Sequence, residues 1–419
     1  MKATKKRIFG ILLSLALVLG TMPALGMRVH ANDATEYGIW VGDAEVTSAN
    51  LSGQGWSYDV ASNTLTLNNF NYEGDGHHWE SDTTENRAAI YAENDLTVQI
   101  KGTNTIKGNV SETIWIYGIY GEKTLTINGG GVLAFPQSGI DDSIVVQDGD
   151  LIVNNTTINT TEKRCGLHTF NGDLYINGGK INTEKSSWTG IAVNAGNLEI
   201  NNATVNSSAT EDGILADGAI IINSGSVTCV SDEDCGIRVF GKLEINGGSV
   251  KTSGVQDTSV YVNNFEMNGG RLEAVAPQKN GIYVDSGDAV IKGGTLIASG
   301  RYGINASRRI YFNGGDATFS GTQKAVRANG KLILSDKATV TAGEHEASAV
   351  DVTSTFAKEH DQKWAHLVVP TPVPSDPTAV GTVHGVPSSV GKYVVTSANT
   401  VSLVKAPRTA SYTLPATVT

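Results

Sequence analysis

Gly190-Ile191-Ala192-Val193, Gly213-Ile214-Leu215-Ala216, Gly236-Ile237-Arg238-Val239, Gly281-Ile282-Tyr283-Val284 and Gly303-Ile304-Asn305-Ala306 repeat one pattern: small, apolar, variable, apolar. Successive copies begin about 22 to 24 residues apart, and looser ones at Gly166-Leu167-His168-Thr169, Ser259-Val260-Tyr261-Val262 and Ala325-Val326-Arg327-Ala328 keep the same phase. Each unit continues with a second alternating stretch, as in Leu198-Glu199-Ile200 or Leu243-Glu244-Ile245. Asn-Gly-Gly or a variant follows, then a third short strand such as Ser249-Val250-Lys251. Three short strands and three turns in such a period make one coil of a parallel β-helix. Period-two alternation sends Ile and Val inward and the variable residue outward. A leucine-rich repeat has a similar length but needs Leu-x-x-Leu-x-Leu with a helical half, which is missing. The expected fold is all-β: a right-handed parallel β-helix, a solenoid of about ten or eleven coils, with an N-terminal β cap.

The turn after the second strand carries Asn128, Asn154, Asn177, Asn201, Asn223, Asn246, Asn268 and Asn313 in one phase, usually followed by Gly. Asn and Gly tolerate left-handed backbone angles, and stacked Asn side chains bond along a column. This ladder is scaffold.

The ends depart from the repeat. Lys2, Lys5, Lys6 and Arg7 precede an apolar run from Ile8 to about Met22, with small residues Val29 and Ala31 beyond it. That is the pattern of a secretory signal peptide over residues 1–31, and the run is too short and too interrupted for a spanning helix. Residues 32–75 show Trp56-Ser57-Tyr58 and Thr64-Leu65-Thr66-Leu67 around Asp59 to Asn63, a hairpin signature suited to capping the open end of a β-helix over residues 76–369. Pro370, Pro372, Pro374 and Pro377 mark a linker, 370–378. Residues 379–419 read as a small β module, whole or truncated, with strands at Lys392–Thr396 and Ala410–Leu414.

The chain of 419 residues carries 31 Lys and Arg against 42 Asp and Glu, net −11. Loss of residues 1–31 would remove Lys2, Lys5, Lys6, Arg7 and Arg28 and no acid, taking the net charge five units lower, to −16. Such a surface repels nucleic acid and anionic membranes and leaves sugars, cations and basic proteins as partners. The only cysteines, Cys165, Cys229 and Cys235, are too few for a disulfide framework. Cys229 and Cys235 either close one small loop or stay free.

The outward position of the first strand forms the column His168, Ala192, Leu215, Arg238, Tyr261, Tyr283, Asn305, Arg327, one residue per coil. Tyr261 and Tyr283 are then neighbours on an exposed sheet, with Arg238 and Arg327 flanking them. Sugar rings stack on aromatic faces, and Arg binds hydroxyls or a carboxylate. Against this stands the ordinary β-propensity of Tyr. Trp115 and Trp188 occupy a turn column, and Trp79 a long loop; large aromatics there either cover core edges or grip ligands. Glu211, Asp234 and Asp257 precede the first residue of their coils by two positions, an acidic column that offers a Ca²⁺ site. Its next members, Lys279 and Arg301, are basic, as a lyase base would be; the plainer reading is solvated loop charge. His77 and His78, with Glu80 and Asp82, read as loop residues. Asp141-Asp142 alone matches a polygalacturonase-type signature.

Tyr37-Gly38-Ile39-Trp40-Val41-Gly42 with Val46-Thr47-Ser48, the Tyr58–Leu67 hairpin and the Asn-Gly-Gly coils resemble exported carbohydrate-binding β-helix repeat proteins of anaerobic gut-type bacteria. Tyr393 to Val418 looks like the lead-in to a bacterial surface leucine-rich-repeat domain. Leu414-Pro415-Ala416-Thr417 echoes a sortase signal but lacks the Gly and the hydrophobic tail. The resemblance implies a secreted or cell-surface, non-catalytic, monomeric binder of polysaccharide, whether host or cell-wall glycan, with no nucleic acid partner, no membrane insertion and no cofactor beyond a possible Ca²⁺. The alternatives are a Ca²⁺-dependent pectate-type lyase, since pectin-degrading enzymes use this scaffold, and a structural adhesin or stalk that binds protein.

Overall fold

The structure is a computed structural model that describes residues 34–81, 84–109, 114–136, 139–161, 164–370, 392–397 and 400–405. Residues 1–31 of the expected signal peptide and most of the expected linker lie outside these. Among the described residues the regular elements are strands, apart from a 3₁₀ turn at Glu346–Ser348, and no helix is long and apolar enough to cross a membrane. The chain divides into two units, residues 1–210 and 211–419. Together they hold about nine turns of parallel β-solenoid. This is fewer than the expected ten or eleven; antiparallel strands pair with Thr84–Ala92 in the first unit and with Gly315–Ser320 in the second.

In the first unit the first-strand column runs through Thr84–Ala92, Trp115–Gly121, Asp142–Asp148, Cys165–Asn171 and Thr189–Ala195, each parallel to the next. Ile90, Ile119, Ile144, Leu167 and Ile191 point inward and are fully buried. The second column, Leu96–Lys101 to Leu198–Asn201, buries Leu96, Leu125, Leu151, Leu174 and Leu198 in the same way. At its end the Asn ladder forms as expected: the Asn154 amide donates to Asn128 Oδ1 at 2.8 Å, Asn177 to Asn154 at 3.0 Å and Asn201 to Asn177 at 2.9 Å. The ladder residues themselves stay extended; the left-handed turn falls one residue later, at Gly129, Asn155, Gly178 and Asn202. A second ladder, in which Asn206 donates to Asn182 and Asn182 to Asn159, lines the third strand column. Sequence phase did not single it out.

The hairpin expected near residue 60 is present: Trp56–Asp59 pairs antiparallel with Thr64–Asn68. Thr64–Asn68 then lies parallel to Leu96–Lys101, and Asn71–Glu73 parallel to Thr103–Lys107. Glu36–Val41 pairs antiparallel with Thr84–Ala92. Residues 36–73 thus supply strand neighbours to Ile90–Ala92, Thr97–Lys101 and Thr105–Lys107.

The second unit repeats the plan. Ile214, Ile237, Val260, Ile282, Ile304 and Val326 are its inward first-strand residues, all essentially without exposure, and Asn246 and Asn268 continue an Asn ladder from Asn223. Beyond the last parallel coil, Trp364–Val369 lies antiparallel between Gly315–Ser320 and Thr339–Gly343. Farther on, Lys392–Ser397 pairs antiparallel with Thr400–Lys405, a nearer partner than the expected strand at 410–414, which lies outside the described residues. Cys165, Cys229 and Cys235 are buried and none is in a disulfide. Of the two readings left open for Cys229 and Cys235, the free pair is the one found.

Candidate functional site

In the second unit the outward column forms in the expected register: Leu215 beside Arg238, then Tyr261, Tyr283, Asn305 and Arg327. The Tyr261 and Tyr283 rings lie 5.5 Å apart but at 61° to each other, edge to face rather than as a flat platform. The ring quadrupoles favour this arrangement. Phe240, 46 % exposed, extends the row at 6.3 Å from Tyr261; it follows the repeat quartet, so the phase argument passed over it. The Tyr283 hydroxyl donates to Asp285 Oδ1 at 3.0 Å. Burial, with Asp285 next, raises the Tyr261 hydroxyl above its ordinary pKa.

The two arginines are less free than expected. Arg238 Nε donates to both Asp212 carboxylate oxygens at 3.0 Å and its terminal nitrogen reaches Asp234, while the guanidinium sits 5.4 Å from the Tyr261 ring centre. It therefore braces the row from the neighbouring strand, against the Tyr261 ring. Arg327 stands exposed over Tyr302 at 5.2 Å, with Nε donating to Asn329 at 3.1 Å.

The acidic column is redistributed. Glu211 is exposed and its carbonyl accepts the Ser231 hydroxyl, while Asp257 accepts from the Thr258 backbone N–H. Asp234 gathers instead with Asp212 and Cys235, their ligand atoms within 4.8 Å of one another. Asp212, not Glu211, is the buried carboxylate of the two. Burial pushes the Asp212 carboxyl up to about 6 despite Arg238 beside it, and burial also raises the Cys235 thiol. Ca²⁺ takes six to eight oxygen ligands; two carboxylates already bonded to a guanidinium, next to a protonated thiol, do not fit that ion. Lys279 and Arg301 are exposed beyond this group, Arg301 against Tyr302 at 5.7 Å.

The first unit corrects the outward column more strongly. His168 is 1 % exposed and Ala192 is buried. Their counterparts in earlier coils, Tyr91, Tyr120 and Val145, are buried as well. Aromatic rings from outside the repeat cover the upper part of this face. His77 and Trp79 belong to strand His77–Ser81, paired with Thr84–Ala92, and not to a loop as expected. Trp79 packs 4.6 Å from Tyr91 and 4.7 Å from Tyr120, and Trp40 stacks on His77 at 4.2 Å. Burial, largest among the causes, raises the hydroxyl pKa values of Tyr91, Tyr117 and Tyr120 and lowers that of His77.

Trp115 and Trp188 are brought together around one cation. Arg164 lies 4.4 Å from the Trp115 ring centre and 5.5 Å from that of Trp188. Its guanidinium forks onto Asp142, with Nε to Oδ1 at 2.9 Å and the terminal nitrogen to Oδ2 at 2.5 Å. His168 Nδ1 lies 3.2 Å from the same carboxylate, with Phe170 and Trp188 over the imidazole. Burial by itself would raise Asp142, but hydrogen bonds from Arg164 and His168 outweigh it and hold the carboxyl below its usual range. The side chains around Asp142 thus form a knot whose charged groups are paired, with His168 Nε2 buried and without a hydrogen-bond partner among the described residues. The knot can fix the two indoles in place.

A family described as carbohydrate-binding domain-containing protein has a model that matches residues 17–258, more than half of the chain. No curated protein and no solved structure matches it.

Proposed function

We propose that this chain, which belongs to the carbohydrate-binding domain-containing family, is a secreted or cell-surface, non-catalytic protein that holds a polysaccharide along the row Phe240, Tyr261, Tyr283. The observation that carries this reading is a run of aromatic side chains in adjacent strands, one end of it 46 % exposed, braced by Arg238. Adjacent strands repeat at about 4.8 Å, so the row offers apolar edges along a line, with polar groups at its margin. Each stacking contact contributes about 1 kcal/mol, and single-site affinity falls in the micromolar to millimolar range unless several copies act together.

Calorimetry with the best ligand from a glycan array should show Tyr261→Ala and Tyr283→Ala each weakening binding about fivefold or more, a loss of about 1 kcal/mol, with an unchanged melting temperature. If both variants bind as the parent does, the row is only strand surface. The Trp115 and Trp188 pair then becomes the next surface to vary.

The reading also states an absence of turnover. The acidic and basic groups best placed for lyase chemistry, Asp212, Asp234 and Arg238, are bonded to one another. Incubation with pectate and Ca²⁺ should release no unsaturated product absorbing in the ultraviolet. Saturable release that Asp234→Ala abolishes would replace binding by lyase activity.

A further inference from the structure

Strand Trp364–Val369 alternates between core and surface: Ala365 and Leu367 are buried, while Trp364, His366 and Val368 are not. The indole of Trp364 therefore stands on the outer face of its sheet. Its neighbours there are small. Ser320 lies opposite it on one side and Gly343 on the other, and Ser299 lies beside Ser320 one strand farther on. A large ring next to a serine, a serine and a glycine leaves a hollow. The segment after Gly343 raises a rim with Glu344 and Glu346, and Lys363 stands beside it, its ammonium 3.0 Å from Glu344. The groove so formed measures about 490 Å³.

We infer that this groove is a second saccharide site, one that takes a neutral sugar residue. The wall is an aromatic face of the kind that stacks on the C–H face of a pyranose, and the floor and rim supply hydroxyl, carboxylate and ammonium groups that can bond sugar hydroxyls. Charge selects the class of sugar. Lys363 is already paired with Glu344, and Glu346 adds a further negative charge, so a uronate carboxylate meets repulsion where an uncharged hydroxyl meets acceptors. The site lies beyond residues 17–258, where the family match ends, and shares with the aromatic row only the class of ligand.

The experiment titrates a panel of neutral hexasaccharides (cellohexaose, xylohexaose, maltohexaose) and a galacturonate hexamer into four full-length proteins by calorimetry. These are the parent, a row variant Phe240→Ala/Tyr261→Ala/Tyr283→Ala, and the row variant carrying either Trp364→Ala or Ser320→Leu. The last fills the hollow while keeping the indole, and so reads occupancy of the groove even if loss of Trp364 disturbs the fold. The row variant is expected to keep binding at least one neutral hexasaccharide, and to bind the galacturonate hexamer at least tenfold more weakly. Trp364→Ala and Ser320→Leu should each reduce that remaining affinity at least fivefold. If the parent binds and the row variant does not, the row is the whole site and the groove is refuted. Unchanged affinity in both groove variants refutes it too. Binding that ignores the row substitutions but vanishes with Trp364 upholds the groove and removes the row, and a parent that binds nothing in the panel overturns both.

Discussion

Ile237→Asp should unfold much of the second unit at room temperature. Ile237 is fully buried in the inward first-strand column, between Ile214 and Val260 in the ladder, and no polar side chain of that column stands ready to pair a charge. A carboxylate placed there must either ionise in an apolar interior or bind a proton at a displaced pKa, at a cost of at least about 4 kcal/mol. A solenoid gathers its stability from each coil and its neighbours, so the loss spreads to the adjoining coils and not to one residue alone. Urea titration followed by circular dichroism should show the early loss of a large part of the β signal, while the control Ile237→Val shifts the transition by only about 1 kcal/mol. A variant that unfolds with the parent would mean that this column is not the core.

The second large effect concerns Asp142→Ala. The carboxylate is fully buried and accepts from both Arg164 and His168. Removing it strands the Arg164 cation among indoles and leaves the His168 imidazole without its partner. Breaking a buried pair on one side costs about 3–5 kcal/mol. Intrinsic fluorescence should report the change directly, because Trp115 and Trp188 lose the guanidinium that lies against them. The same carboxylate sets a pH dependence. Its folded pKa lies below its unfolded value of about 4, so its stabilising contribution is complete above about pH 4 and is lost as the pH falls through the lower, folded value. The stability gap between the parent and Asp142→Asn should therefore narrow below about pH 4. Equal gaps at pH 3 and pH 7 would show that the Asp142 charge is not what holds the knot.

The residues that proved readable in the sequence are those whose position depends on a local period. A strand sends alternate side chains to opposite faces, and a coil of nearly constant length returns each face to the same place. Ile237, Ile282 and Ile304 could be put in the core, Asn154 and Asn177 in a ladder, and Tyr261 next to Tyr283, from spacing alone. Their neighbours are fixed by backbone pairing between coils, and that pairing follows from the count of residues.

Tertiary structure decided whether an outward position is open. His168 and Tyr283 hold the same phase of the repeat, yet one is 1 % exposed and the other only partly covered. The difference comes from the rings that lie over each position: Trp188 and Phe170 from the repeat itself over His168, and Trp40, His77 and Trp79 from outside it over Tyr91 and Tyr120. The same holds for charge. Arg238 faces outward as its phase requires, but Asp212 had no mark to separate it from Glu211 until the fold buried one carboxylate against Arg238 and left the other in solvent. Trp364 belongs to an antiparallel strand outside the period, and its hollow exists because a serine and a glycine from distant segments lie beside it. Periodicity dictates where the backbone goes and which way each side chain sets out. What that side chain then meets depends on turns and end segments, whose conformations follow from packing against the finished stack.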